Sequence, residues 1–386
     1  MVTMPPNGDN QPERWTGRAQ VSRPTTPSVA TSPPPAPAPP APPAPPGRPV
    51  APTYGGKARR RPRWGRIALV GTLALLLIGT LIGVGGYLWL SGVNDNLKRT
   101  DPFSDIAGRP AKVAQGTINI LMLGTDSRDP DAPVDGSSEW RTDTIVLMHI
   151  PASHDKAYLI SFPRDLYVFV PPSKDGQFGN TQAKINAAYA WGGLPLMVQT
   201  VEQYTGVRMD HVALMDFYGF IKVTDAIGGV DMNVERTITS EHKPFRKYTK
   251  GPHHFNGSMA LDYVRQRKQF PDGDFARMRH QQEFLKALMD KAVSGGTVSN
   301  PFKLKAFVTS VADAMTVDQD FSLLDMAWQF KGLKSEDLVF MTSPHLGSQN
   351  VDGQSVVVSD REKALGLFDA VAKDTVAQWL AQNPQR

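Results

Sequence analysis

Arginine collects at the ends of apolar segments in this sequence, and an anion with several oxygens accounts for that placement. In YVRQRK, Arg265 and Arg267 flank Gln266. Read as a strand with a side-chain period of two, the segment puts both guanidinium groups on one face, under about 7 Å apart. Like charges side by side in a sheet are costly, and an anion between them removes the cost. Salt bridges to nearby acids are the plainer alternative. A few residues on, DGDFARMRHQQ reads as a helix start, with Asp274 as cap, Arg277 in the first turn and Gln281 one turn later on the same face. A helix N-terminus favours anions, so a cation there works against the dipole. A bound phosphate supplies the reason. Arg279 has a simpler partner in Glu283 at i+4.

Three further clusters share this chemistry. Arg141 and Asp143 open a strand in RTDT, Arg164 and Asp165 lie just past a strand end in FPRD, and Asp126 ends a strand in LGTDSR. Arginine's planar fork suits phosphate oxygens better than a lysine point charge. Asp126 and Asp143 are candidate Mg²⁺ ligands, because Mg²⁺ takes one or two carboxylates and completes its shell with water and phosphate oxygens. Together the clusters supply what a pyrophosphate–Mg²⁺ site needs. Other chemistries are absent from the pattern: there is no GxSxG, HExxH, GxxxxGK[ST] or GxGxxG. With no cysteine, thiolate zinc sites and Cys nucleophiles are excluded. The eight histidines show no metal-ligand spacing, and His253 and His254 read as solvated turn residues.

Alternating strand-like and helix-like segments must position these residues. TINILMLGTD, TDTIVLMHI and KAYLISF read as three strands whose near-continuous apolar character implies a sheet covered on both faces. INAAYAWGGLPLMVQTVEQYTG reads as helix in two pieces around Gly192, Gly193 and Pro195. HVALMDF is a strand, and YGFIKVTDAIGG a helix capped by Asp216 and stopped by Gly228 and Gly229. VDMNVE and LDYVRQRK read as strands. Helices follow from Asp274, Pro301, after Asp320 and from about Asp360, with a strand near Leu338–Met341. The expected fold is one three-layer α/β/α domain over 116–386.

The N-terminal portion has another character. Residues 1–66 carry a net charge of +8 within a chain total of +5, and hold eighteen of the 33 prolines. The basic balance therefore belongs to a disordered tail and not to the folded domain. The proline-rich run at 33–52 reads as an extended spacer, with a docking site for a proline-reading domain, or a tail phosphorylated at Thr25, Thr26, Ser28, Thr31 or Ser32, as the alternatives. From Ile67 to Leu90 no residue is charged. At about 1.5 Å per residue this reaches roughly 36 Å, enough to span a membrane. Basic residues precede the span, so the positive-inside preference puts the tail in the cytoplasm and the domain outside, after a linker at 91–115. The basic cluster Lys57–Arg66 suits lipid headgroups, so no nucleic-acid partner is expected.

At the arginine-bearing stretches the sequence resembles the LytR-CpsA-Psr family of wall-glycopolymer phosphotransferases. INILMLGTDSR, RTDTIVLMHI, LISFPRDLYV, KINAAYAWGG, DHVALMDFYGFIKVTDAIGGVDMNV, HHFNGSMALDYVRQRK and GDFARMRHQQ occur in the family's order over about 116–292. The resemblance implies transfer of a glycopolymer from a polyprenyl pyrophosphate carrier to peptidoglycan at the cell membrane. It implies Mg²⁺ at Asp126 and Asp143, and pyrophosphate binding by Arg141, Arg164, Lys184, Arg265, Arg267, Arg277 and Gln281. The apolar residues of the sheet and helices would enclose the lipid chain. Arg164, Arg265 and Asp143 carry the chemistry in this reading, with Asp143 or Asp165 orienting or deprotonating the attacking hydroxyl. His280 departs from the family's usual arginine before the glutamine and brings a titratable group there. DPDAPVDGSSEW lengthens the segment between Asp126 and Arg141. The rival readings are a non-catalytic lipid sensor or regulator, and a hydrolase using water in place of a sugar.

Overall fold

The computed structural model describes residues 92, 97–126, 142–294, 300–329 and 332–384. The tail at 1–66, the apolar run at 67–90 and Arg141 lie outside them. Among the described residues no helix is long and apolar enough to cross a membrane.

Among the described residues, seven strands form one mixed sheet. Their spatial order is β1 (Lys98–Thr100), β12 (Met315–Asp318), β7 (His211–Met215), β2 (Ile118–Thr125), β3 (Thr142–Ile150), β4 (Ala157–Phe162) and β13 (Leu338–Thr342). The three strands read first from the sequence are β2, β3 and β4. β3 pairs antiparallel with both neighbours, while β7 joins β2, and β13 joins β4, in parallel. The centre is thus antiparallel although its strands are apolar on both faces. Double-sided burial, not strand direction, sets the near-continuous apolar runs.

One face of the sheet packs on α1 (Ala187–Thr205), α7 (Arg361–Ala372) and α8 (Val376–Gln382), where Leu121, Leu147 and Ile160 join Met197, Val201 and Phe368 in one core. The other face is covered by α4 (Asp274–Ser294), α5 (Pro301–Ala314) and α6 (Leu323–Gln329). There Ile120 and Ile150 share a cluster with Ala312 and Met326, and Val146 and Leu159 share one with Leu285. Each fully buried Leu or Ile contributes about 1.5–3 kcal/mol. The result is three layers, α/β/α.

Local signals act as read at most helix ends. α1 breaks at Gly192 and Gly193, the latter at φ 62°. α2 (Phe217–Ala226) begins at Asp216, whose carboxylate accepts from the Gly219 N–H at 2.6 Å, and is followed by Gly228 and Gly229 at φ 84° and 80°.

The segment LDYVRQRK is not a strand. Asn256 accepts from the Met259 N–H at 2.9 Å and starts α3 (Gly257–Val264), which ends in a turn at Arg265. Gly257 lets α3 press on α2, since a Cβ there would stand 2.3 Å from the Ile221 carbonyl oxygen. A cap and a close helix contact override five residues of alternation. His253 and His254 likewise lie in a strand, β11 (Gly251–Phe255), paired with β8 (Val230–Val234).

Candidate active site

A cavity of about 490 Å³ opens where β2, β4 and β7 end, β3 begins and α4 starts. Its wall carries Asp143, Arg164, Arg265, Arg267, Arg277 and Gln281. Each arrives by a different local device. The pairing of β2 with β3 slips between Gly124 and Thr125, so that Gly124 faces Thr144 but Thr125 faces Thr142. Asp143 is the extra residue of that bulge, and bulges re-aim side chains beside functional sites. Arg164 lies two residues past β4 and donates from Nη1 to Asp143 Oδ1 at 2.5 Å. Arg277 stands in the first turn of α4, with Gln281 one turn further on.

Arg265 and Arg267 reach the same cavity from the turn after α3. Gln266 between them is fully buried. Its amide donates to Ser240 Oγ at 2.9 Å and to Asp262 Oδ1 at 3.0 Å, and its carbonyl accepts from the Glu241 N–H. That anchor turns the flanking arginines outward. Arg265 also sits over the Phe217 ring at 4.3 Å, a contact that restricts where its guanidinium points.

Asp274 joins the set in a role the sequence did not reveal. It is the first residue of α4, and its carboxylate lies 3.3 Å from Arg277, 3.4 Å from Arg267 and 3.6 Å from Arg164. One carboxylate thus faces three guanidinium groups. The acidic residue in DGDF was the only signal, and it reads equally well as a cap. Burial pushes the Arg277 guanidinium below its ordinary pKa, and neighbouring Arg164 adds to this, while Asp274 opposes it. Burial also works against charge on Arg164, but Asp143, with Asp274 and Asp165, outweighs it and raises that pKa. The Nε groups of Arg164 and Arg277 are buried without a hydrogen-bond acceptor. Nearby carboxylates offset the charge of both groups, but a buried N–H without an acceptor is still costly, and an anion entering this corner would supply the missing acceptor oxygens.

The remaining expected residues fall at the rim or elsewhere. Lys184 is not on the cavity wall. It ends β6 (Thr181–Lys184) and bonds Asp165 at 3.3 Å, and Asp165 lies 3.8 Å from Arg164 Nε. Asp126 is exposed just past β2 and is also off the wall. His280 faces away: it is 1% exposed, packs between Tyr263 and Phe270, and lies 3.6 Å from Glu235. Burial drives its pKa down to about 4. Its imidazole therefore stays neutral and takes no part in binding phosphate. Arg279 pairs with Asp272 and Glu235 in place of the expected Glu283.

Among the described residues no three acidic or histidine side chains form a metal cage. Asp143 faces the cavity but shares one oxygen with Arg164, and Asp126 follows the strand end beside it. Such a donor set fits Mg²⁺ when phosphate oxygens and water complete its shell, and does not fit a metal held by protein alone.

Deeper in, the cavity turns apolar. Along α4 the lining passes from Arg277 and Gln281 to Phe284, Leu285 and Leu288, and α5 adds Phe307 and Val311. From Arg277 to Leu288 is about 16 Å of helix. One ligand filling this space would have an anionic head and a long apolar body.

The model of the LytR_cpsA_psr family matches residues 87–373. The chain belongs to the LytR-CpsA-Psr family. It is 28% identical over 344 residues to cell wall biosynthesis protein LcpA of Corynebacterium glutamicum, covering 78% of this chain and 64% of LcpA. The chain thus spans just under two thirds of that relative. It is also 28% identical over 292 residues to a polyisoprenyl-teichoic acid–peptidoglycan teichoic acid transferase, TagU, of Bacillus anthracis, covering 73% of this chain and 89% of TagU. The crystal structure of Bacillus subtilis TagV superposes with a TM-score of 0.55 at 24% identity, over 68% of this chain and 98% of TagV. That likeness establishes a shared mixed α/β fold.

Proposed function

We propose that this chain takes a glycopolymer from a polyprenyl pyrophosphate carrier and joins it to peptidoglycan through a phosphodiester. The observation that carries this reading is the continuity of one cavity, from an arginine corner with unsatisfied donors to an apolar wall between α4, α5 and the sheet. That shape matches a prenyl pyrophosphate. Family membership and the TagU relative, whose name pairs a polyisoprenyl-linked polymer with peptidoglycan, support the same class of reaction.

The steps follow from the residues. Leu285, Leu288, Phe307 and Val311 hold the prenyl chain and exclude water from it. Arg164, Arg265, Arg267 and Arg277, with Gln281, bind the pyrophosphate oxygens. A sugar hydroxyl attacks the phosphorus bonded to the glycopolymer, the bond to the bridging oxygen breaks, and polyprenyl phosphate leaves. The charge that gathers on the leaving phosphate is stabilised by the same arginines, which are already fixed in place. Asp143 or Asp165 orients the hydroxyl and takes its proton. Asp143, with Asp126 just past the end of β2, would hold Mg²⁺, which would supply further charge neutralisation. The apolar run at 67–90 anchors the domain on the outer side of the membrane, where such a donor arrives.

The test uses the purified full-length chain with a synthetic polyprenyl-pyrophosphate disaccharide and soluble peptidoglycan strands. Arg164→Ala and Arg265→Ala are expected to lower transfer by about a hundredfold or more, as for loss of a transition-state charge donor. Undiminished transfer in either variant would overturn this account of the site. The topology is read separately, by protease access to the tail and to the domain in sealed right-side-out vesicles.

A further inference from the structure

The donor's site leaves the acceptor unaccounted for. A pyrophosphate and its prenyl chain fill the cavity, and the glycopolymer is held through its covalent bond to them. The peptidoglycan strand has no such tether and needs a surface of its own beside the arginine corner, outside the cavity.

The hairpin of β5 (Tyr167–Val170) and β6 has the required composition. Its register pairs Tyr167 with Lys184, Val168 with Ala183, Phe169 with Gln182 and Val170 with Thr181. Val168 and Val170 are buried in the main core, and Ala183 packs against it. Side chains directly opposite in an antiparallel pair share a face, so Tyr167, Phe169, Gln182 and Lys184 lie together on the other side. Two aromatic rings, about 7 Å apart along one strand, therefore face an amide and an ammonium on the next. Phe169 is 37% exposed, with nothing in the core requiring a phenyl ring there. None of the four lines the donor cavity.

The face runs directly into the active site. Lys184 bonds Asp165, Asp165 approaches Arg164, and Arg164 lines the cavity. Five residues of chain from Arg164 to Phe169 span at most about 17 Å, a few sugar units. The hairpin's closing turn is fixed as well. The Phe178 N–H donates to Ser173 Oγ at 3.0 Å, the Ser173 N–H donates to the Phe178 carbonyl at 2.9 Å, and Gly179 at φ 82° leaves no room for a Cβ against Pro171. A face held this firmly presents its rings at little entropic cost on binding.

We propose that the outer face of this hairpin is the acceptor subsite, binding pyranose rings of the peptidoglycan glycan strand. The apolar faces of the sugars stack on Phe169 and Tyr167, and the Gln182 amide and Lys184 ammonium bond their ring substituents and hydroxyl groups. This rests on the transferase reading above, and the experiment separates the two. The full-length chain in nanodiscs is assayed with a soluble tetrasaccharide of alternating N-acetylglucosamine and N-acetylmuramic acid. In Phe169→Ala the acceptor KM rises about tenfold, the size of one lost stacking contact, while the donor KM and kcat hold. Phe169→Trp keeps an aromatic face and restores the acceptor KM, which a folding defect would not allow. An unchanged acceptor KM overturns the proposal, and so does a raised donor KM, which would give the face to the donor glycan. Saturation-transfer NMR of the tetrasaccharide with wild-type chain and Phe169→Ala reads binding without turnover. A chain that transfers nothing but loses the saturation signal in Phe169→Ala keeps the subsite and defeats the transferase reading. Equal signal in both proteins overturns the subsite.

Discussion

Asp274→Asn isolates the electrostatic design of the site. Asparagine keeps the shape of the side chain at the start of α4 and removes only its charge. Asp274 faces Arg277 at 3.3 Å, Arg267 at 3.4 Å and Arg164 at 3.6 Å. At 3.3 Å and an effective dielectric near 20, one such pair attracts by about 5 kcal/mol before desolvation. Removing one member of a buried pair costs about 3–5 kcal/mol, because the other charge stays buried. Asp274 keeps 15% side-chain exposure and Arg267 35%, so the lower value, about 3 kcal/mol, is expected. At about 2–4 °C per kcal/mol, the Tm of the unliganded domain falls by about 6–12 °C. Inorganic pyrophosphate offsets part of the loss. In the wild type it must displace a carboxylate from three arginines, whereas in Asp274→Asn it meets them uncompensated. A tenfold gain in affinity adds about 1.4 kcal/mol at equal ligand concentration, or about 3–6 °C more stabilisation than in the wild type. Differential scanning fluorimetry with and without pyrophosphate measures both effects. A Tm within about 1 °C of wild type, or a smaller pyrophosphate shift in the variant, refutes the reasoning.

Other outcomes follow from the same geometry. Gln266→Ala frees the turn that aims Arg265 and Arg267, so the donor KM rises at least about tenfold while thermal stability falls by about 1–3 kcal/mol, because the Glu241 N–H loses its acceptor and Ser240 and Asp262 each lose one bond; steady-state kinetics and melting together check this. His280 has a folded pKa of about 4, below its ordinary 6.5. Its contribution to stability is therefore complete above about pH 6.5 and is lost as pH falls toward 4. His280→Phe, between Tyr263 and Phe270, removes that slope, and melts at pH 7 and pH 5 should differ less than in the wild type. Chelation with EDTA lowers transfer, and Asp143→Asn blunts the restoration by added Mg²⁺; full restoration in the variant would remove Asp143 from the metal reading.

Much of the frame was legible because it depends on strong local signals. The β2, β3 and β4 strands carry apolar runs too regular to miss, and Asp216, Gly192 and Gly193 mark helix boundaries by capping and backbone freedom. What escaped depends on tertiary contacts. YVRQRK alternates like a strand, but Asn256 and the fit of Gly257 on Ile221 make its first residues helical. The inference that Arg265 and Arg267 share an anion did not require a strand, and the buried Gln266 brings both to the cavity by another route. Asp274 looked like a cap because its three arginine partners lie on separate segments. His280 sits next to Gln281, yet a helix turns adjacent residues about 100° apart, so one faces the cavity and the other the core. The slip that aims Asp143 is a property of two paired strands and leaves no mark in either alone.

The central claim is that one cavity binds a prenyl pyrophosphate and passes its glycan phosphate to a sugar. Its most direct test is mass spectrometry of the products formed by the full-length chain from a synthetic polyprenyl-pyrophosphate disaccharide, Mg²⁺ and soluble peptidoglycan strands. The account predicts equal amounts of polyprenyl phosphate and of disaccharide joined to peptidoglycan by a phosphodiester, with both lowered by about a hundredfold or more in Arg164→Ala. Polyprenyl phosphate accompanied only by free disaccharide phosphate, or no turnover of the donor, would contradict it.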